Sequence, residues 1–157
     1  MPVLKVDTVN EKTSATGVTV DSLKIKDTYT TEFWKYVFAT EKGTDLAVTV
    51  GTHRVYVRHP VTAGWTLTIE GVVASVGTAP TGAAILIDVH KNGTTIWTTQ
   101  GNRPSIAISG NGGALDTDMD VTSLSLGDYF TVDIDQVGSS TKGKDLVVEV
   151  WVKAVRS

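Results

Sequence analysis

Cysteine is absent from all 157 residues. That excludes a disulfide framework, a thiolate nucleophile and a cysteine-type zinc site, and leaves packing or assembly to supply stability. Nor is there an excess of one charge. The formal charge of -3 gives no strong field for drawing in nucleic acid or an acidic membrane. No apolar run approaches the roughly 20 residues that span a bilayer, and the start Met-Pro-Val-Leu-Lys-Val-Asp lacks an apolar signal core. The expectation is a soluble chain made in the cytoplasm, with neither nucleic-acid nor membrane partners. The 15 glycines never form Gly-x-Gly-x-x-Gly or a P-loop, and no Gly-x-Ser-x-Gly elbow occurs. Nucleotide binding and serine hydrolysis therefore have no supporting motif, and no cofactor is expected.

What the sequence has is a train of short strand signals from about Trp34 to Val155, separated by glycine-rich turns. The clearest unit is Ala84 to Trp97. Ile85, Ile87 and Val89 alternate, Lys91-Asn92-Gly93 interrupts, and Ile96-Trp97 resumes. Asn-Gly supplies the two positive-φ positions of a type I′ turn, so this segment predicts a β-hairpin. Trp34, Tyr36 and Phe38 alternate and predict a strand rather than a helical turn. Further strand signals are Leu46-Val48-Val50, Val55-Val57 ending at His59-Pro60, and Trp65 to Val76 with a bulge at Gly71. Others follow at Ile106-Ile108, Tyr129 to Asp135 and Leu146 to Ala154. Eight or nine strands at near-regular spacing predict an all-β fold, an antiparallel β-sandwich with jelly-roll-like architecture.

Residues 1–30 differ in composition. They carry few large apolar groups, and their two extended pieces, containing Val18 and Val20 and then Leu23 and Ile25, are too small to stand alone. The chain thus divides into an extended N-terminal arm over 1–30 and a sandwich domain over 31–157. The last strand is apolar on both faces, with Leu146, Val148, Val150 and Val152 on one and Val147 and Trp151 on the other. Such a strand calls for cover on both sides, from an arm or another subunit. Val18, Val20, Leu23, Ile25, Trp34, Val147 and Trp151 are the candidate residues for an oligomer or partner interface.

Candidate chemistry is thin. His53, His59 and His90 lack metal-pair spacing and are expected at strand ends or edges. Asp116, Asp118 and Asp120 alternate, so an extended chain would point three hard oxygen ligands one way, the pattern of a cation site; without a binding-loop glycine and distal glutamate, a solvated strand edge is the competing reading. Asp133 and Asp135 share the face opposite Phe130, Val132 and Ile134, which predicts an outward polar face; as a pair of glycosidase carboxylates they lack a sugar platform. None of this amounts to a catalytic centre, and the expectation is a protein that is not an enzyme.

The phrase from Val6 to Asp27, with Glu11-Lys-Thr, Gly17-Val-Thr-Val-Asp and Lys26-Asp, resembles one that recurs in tailed-phage fibre and other virion proteins. Gly77 to Ala83, Ile87 to Ile96 and Val132 to Ser140 look like phrases of companion modules in such proteins. The resemblance implies β-sandwich modules that assemble as homotrimers in the virion, on the capsid surface or tail, against the major capsid protein or other virion proteins. A single compact domain with no heptad shaft fits a capsid decoration or cement protein. The alternative is a short tail-fibre or head-fibre component with receptor- or carbohydrate-binding loops.

Overall fold

The computed structural model describes residues 31–58 and 64–156. The arm with Val18, Val20, Leu23 and Ile25, and the predicted stop at His59-Pro60, lie outside the described residues. Nine strands follow in order: β1 (Thr31–Ala39), β2 (Thr49–Tyr56), β3 (Trp65–Ser75), β4 (Ile85–Lys91), β5 (Thr94–Thr95), β6 (Ser105–Ile106), β7 (Ser123–Leu124), β8 (Tyr129–Gln136) and β9 (Val147–Arg156). A single 3-10 turn at Gln100–Asn102 breaks the run, and no α-helix occurs among the described residues.

The strands form two antiparallel sheets. The first has the order β1-β9-β3-β7, and the second β2-β8-β4-β5 with β6 also beside β4. Most connections pass from one sheet to the other; β4 to β5 is the tight hairpin. Alternation sets the inner faces. Val148, Val150, Val152 and Ala154 of β9 are buried and join Ile85, Ile87 and Val89 of β4 and Phe130, Val132 and Ile134 of β8 in one core. Tyr36 from the first sheet meets Phe130 from the second with ring centroids 5.7 Å apart.

Local chemistry explains the turns. Asn92 and Gly93 sit at φ 53° and 84°, as the Asn-Gly hairpin requires. The Asn92 side chain does more. Its amide donates to Asp128 Oδ1 at 2.7 Å and its oxygen accepts from the Tyr129 N–H at 3.0 Å, tying the hairpin tip to the start of β8. Burial pushes the Asp128 carboxyl up, but Asn92, the Ser125 N–H and the Lys91 ammonium together outweigh it and hold the group below its ordinary value of 3.8. A depressed carboxyl stabilises the fold above its unfolded value, and that contribution is lost as pH falls through the lower folded value. Asp128→Asn is therefore expected to cost about 1 kcal/mol at pH 7, the scale of a hydrogen bond to a charged group at the surface. The gap from the unsubstituted protein should begin to narrow below about pH 4 and close only below the depressed folded value, and urea denaturation of both proteins at pH 7 and pH 3 measures the narrowing.

β3 bulges between Ile69 and Gly71, where a glycine was expected to bend the strand. A Cβ at Gly71 would come within 2.8 Å of Leu115 Cδ1 and 2.9 Å of the Asp116 carbonyl oxygen. The glycine admits a crossing segment that exchanges backbone hydrogen bonds between Val72 and Asp116 and joins Gly113 N–H to the Ala74 carbonyl. The loop at Gly110–Gly113 is thus stitched along β3.

Three strand expectations change. The alternation at Leu46, Val48 and Val50 buries only Leu46, while Val48 and Val50 are exposed. The reason lies in β2, which begins at Thr49, shifts register twice and passes through Gly51 at φ 66°. Ile108 lies beyond the two-residue β6 and is exposed, because the chain turns at Ser109, whose N–H bonds the Pro80 carbonyl. β7 was not foreseen. It is only Ser123–Leu124, held by its register against Thr68 and Leu67.

Candidate functional site

The outer face of the first sheet is built by the odd-numbered residues of β1 and β9. Register places Phe33 beside Lys153, Lys35 beside Trp151, Val37 beside Glu149 and Ala39 beside Val147. Val73 of β3 stands on the other side of Glu149. Phe33 is 60% and Val37 48% exposed, and Val147 and Trp151 are half-buried. Lys35 pairs with Glu149 and lies 5.4 Å from the Trp151 ring centroid, so its stem covers part of the indole. The face is an apolar strip crossed at its middle by the Lys35–Glu149 ion pair, with Lys153 beside Phe33. That brings together Val147 and Trp151, as the two-faced β9 pattern implied, and adds Phe33 and Val37, which sequence reasoning did not single out. Their signal was the other half of the Trp34-Tyr36-Phe38 alternation. Trp34 separates from this group: it lies on the inner side of β1 and packs against the core.

The outer face of the second sheet corrects an expectation. Asp133 does not project to solvent. It is 4% exposed and stands directly across from Asp88, also 4% exposed. Each carboxylate is held through Oδ1: Asp88 accepts from the Thr95 hydroxyl at 2.7 Å and Asp133 from the Gly51 N–H at 2.6 Å. Both Oδ2 atoms face His90 Nε2, at 3.4 Å and 3.8 Å. Buried carboxylates persist only when hydrogen-bonded and charge-compensated. The cluster clamps β2, β8, β4 and β5 together, and it explains the twist of β2 at Gly51, whose N–H has to reach Asp133. Asp88-x-His90 on one strand face was visible in the sequence, but the register that sets Asp133 opposite was not. Asp135 is exposed and pairs with Arg103, well apart in role from its neighbour.

Asp116, Asp118 and Asp120 are engaged separately. Asp116 Oδ1 accepts from the Trp97 indole N–H at 3.3 Å and from the Asp118 N–H at 3.0 Å. Asp120 accepts from the Thr98 hydroxyl and from the N–H groups of Thr98 and Thr99, and these donors hold its carboxyl below the usual carboxylate range. Asp116 and Asp118 line a cleft of about 270 Å³ with Arg103, Ser105 and Thr117. Among the described residues no three His, Asp or Glu side chains gather in a metal-holding group. The chain matches no protein-family model and no curated protein, so its own residues carry the functional reading.

Proposed function

We propose that this protein is a structural component of a tailed-phage virion, a capsid decoration or cement module that binds the shell as a trimer. The observation that carries the reading is the apolar outer strip of Phe33, Val37, Val147 and Trp151, a surface of the kind that marks a partner. The winding supports it. An order of β1-β9-β3-β7 against β2-β8-β4-β5, with connections that alternate between sheets, is read here as a jelly roll, an architecture common in capsid domains. Function is binding, with no catalysis and no cofactor. The strip packs against neighbouring copies, and arm residues 1–30 reach the major capsid protein. A trimer engaging several shell sites at once converts weak contacts into firm attachment.

The test is co-sedimentation with shells of the encoding phage that lack this protein. The full chain is expected to bind, and a variant lacking residues 1–30 to lose attachment while keeping its β-sheet circular dichroism. Undiminished binding by the truncated chain would refute the arm's role. A second reading, a fibre component with carbohydrate-binding loops, draws on the polar cleft at Arg103, Ser105, Thr117 and Asp118. Glycan binding that Arg103→Ala removes and arm deletion spares would favour it.

A further inference from the structure

Two asparagines are each followed by glycine, Asn92-Gly93 and Asn111-Gly112. We propose that Asn111 is a site of spontaneous covalent modification, its side-chain amide converted to a carboxylate through a succinimide formed with Gly112, and that the fold shields Asn92 from the same reaction. A base removes the Gly112 N–H proton, the nitrogen bonds to Asn111 Cγ, and the Cγ–Nδ2 bond breaks with release of ammonia. The ring then takes up one water at either carbonyl. Opening leaves aspartate at 111, or isoaspartate, whose main chain runs on through Cβ and Cγ. Glycine favours ring closure because it has no Cβ to crowd the attacking nitrogen and leaves the backbone free to turn.

Both asparagines are exposed, so the hydrogen bonds around them decide which one reacts. Asn92 is tied three times to the start of β8. Its N–H donates to the Tyr129 carbonyl at 2.9 Å, its side-chain amide donates to Asp128 Oδ1 at 2.7 Å, and its Oδ1 accepts from the Tyr129 N–H at 3.0 Å. It also sits at φ 53° inside a tight turn closed by the Lys91–Thr94 pair. Asn92 Cγ must leave Asp128 and Tyr129, and the hairpin end must open, before Gly93 can reach it. The Asn111 side chain is held through its nitrogen alone, at 3.1 and 3.2 Å from the Val76 and Gly77 carbonyls, and its Oδ1 accepts nothing among the described residues. The bonds that stitch this loop to β3 fall on either side of Gly112: Val76 N–H to the Asn111 carbonyl at 2.8 Å, and Gly113 N–H to the Ala74 carbonyl at 3.0 Å. The Gly112 N–H, which has to lose its proton, is left unpaired among the described residues.

The product changes the loop. A carboxylate at 111 has no hydrogen to give the Val76 and Gly77 carbonyls, and isoaspartate lengthens the main chain by one carbon between the two stitching bonds. Segment 110–113 is thereby unpinned from the end of β3, while the exchange between Val72 and Asp116 holds the chain beyond it. This chemistry is independent of the proposed function.

The test is a time course on the native full-length protein, kept warm at mildly alkaline pH and read by peptide mapping in a mass spectrometer, with isoaspartate detected by enzymatic methylation. Amide loss at 111 is expected to run about tenfold faster than at 92, the factor that one further hydrogen bond to a charged group supplies. In the urea-unfolded chain the two sites should react at similar rates. Gly112→Ala is the control. A Cβ there meets only ordinary contacts, 3.7 Å from the Ala74 carbonyl oxygen and 3.9 Å from Ser75 Cβ, so the loop should keep its place while the reaction at 111 slows severalfold. Native Asn92 reacting as fast as Asn111, the same ratio in native and unfolded chains, or a rate at 111 that Gly112→Ala leaves unchanged would overturn the assignment. Asn111→Asp supplies one product directly. Hydrogen exchange at the Val76 and Gly113 amides should speed up in this variant while the Asn92 amide keeps its protection; unchanged protection at 76 and 113 would overturn the unpinning.

Discussion

Replacing Trp97 by alanine is expected to lower the free energy of unfolding by about 3–5 kcal/mol, the range for emptying a large aromatic site in a core. Trp97 is fully buried, at 0% exposed, and it anchors more than apolar volume. Its indole N–H holds Asp116, its backbone N–H bonds the Thr95 hydroxyl, and its carbonyl accepts from the Gln100 amide. Next to it, the Ile96 carbonyl takes the N–H groups of both Asp120 and Val121. The residue therefore joins the end of the hairpin to the segment that carries Asp116 to Asp120. Alanine leaves a cavity and strips Asp116 of one donor. Trp97→Phe separates the two effects: it keeps much of the apolar volume and should cost about 1–3 kcal/mol, the penalty of an unmade buried hydrogen bond plus a small void. Urea denaturation of the two variants measures both. A loss under about 1 kcal/mol for alanine would mean that the loop holds the hairpin without the indole.

The second large effect concerns assembly. On the proposed trimeric reading, Phe33→Glu combined with Val37→Glu is expected to give monomers that still fold and unfold cooperatively, at a midpoint lowered only by the loss of assembly. Both side chains project from β1 into solvent on the outer strip, so little core packing is at stake. Cross-strand neighbours nearly cancel within the subunit. A glutamate at 33 stands beside Lys153 and is favourable, whereas one at 37 stands beside Glu149 and is not, each by a few tenths of a kcal/mol. Between subunits the same charges would be buried against apolar surface without partners, at several kcal/mol each. Gel filtration and thermal melting of the double variant test the two halves. A trimer that survives both charges would move the contact surface away from this face.

Much of the fold was legible because its signals are local. Alternation at Ile85-Ile87-Val89, the Asn-Gly pair and the double-sided β9 pattern each depend on neighbours a few residues apart, and each became the expected element. Gly71 announced its bulge in the same way. What escaped depends on pairing between distant segments. Two residues of β7 carry no periodicity, and only the β3 edge makes them a strand. Val48 and Val50 alternate like a half-buried strand, but Gly51 turns its N–H toward Asp133 and leaves them outside. Asp133 itself read as an outward group, since an aspartate on the face opposite Phe130 and Val132 normally meets water. Only register with Asp88, and His90 beside both, shows why it is buried. The candidate interface divided on the same principle: Val147 and Trp151 could be assigned a common face from β9 alone, whereas the side of β1 that Trp34 joins depends on which sheet faces which.

The proposed function requires this sandwich to assemble through its first sheet. Light scattering coupled to size exclusion, at neutral pH and moderate salt, tests it most directly. A trimer assembled through the first sheet has a mass three times the 16.7 kDa chain, and the expected value is unchanged on dilution through the micromolar range. A stable mass of one chain would contradict it.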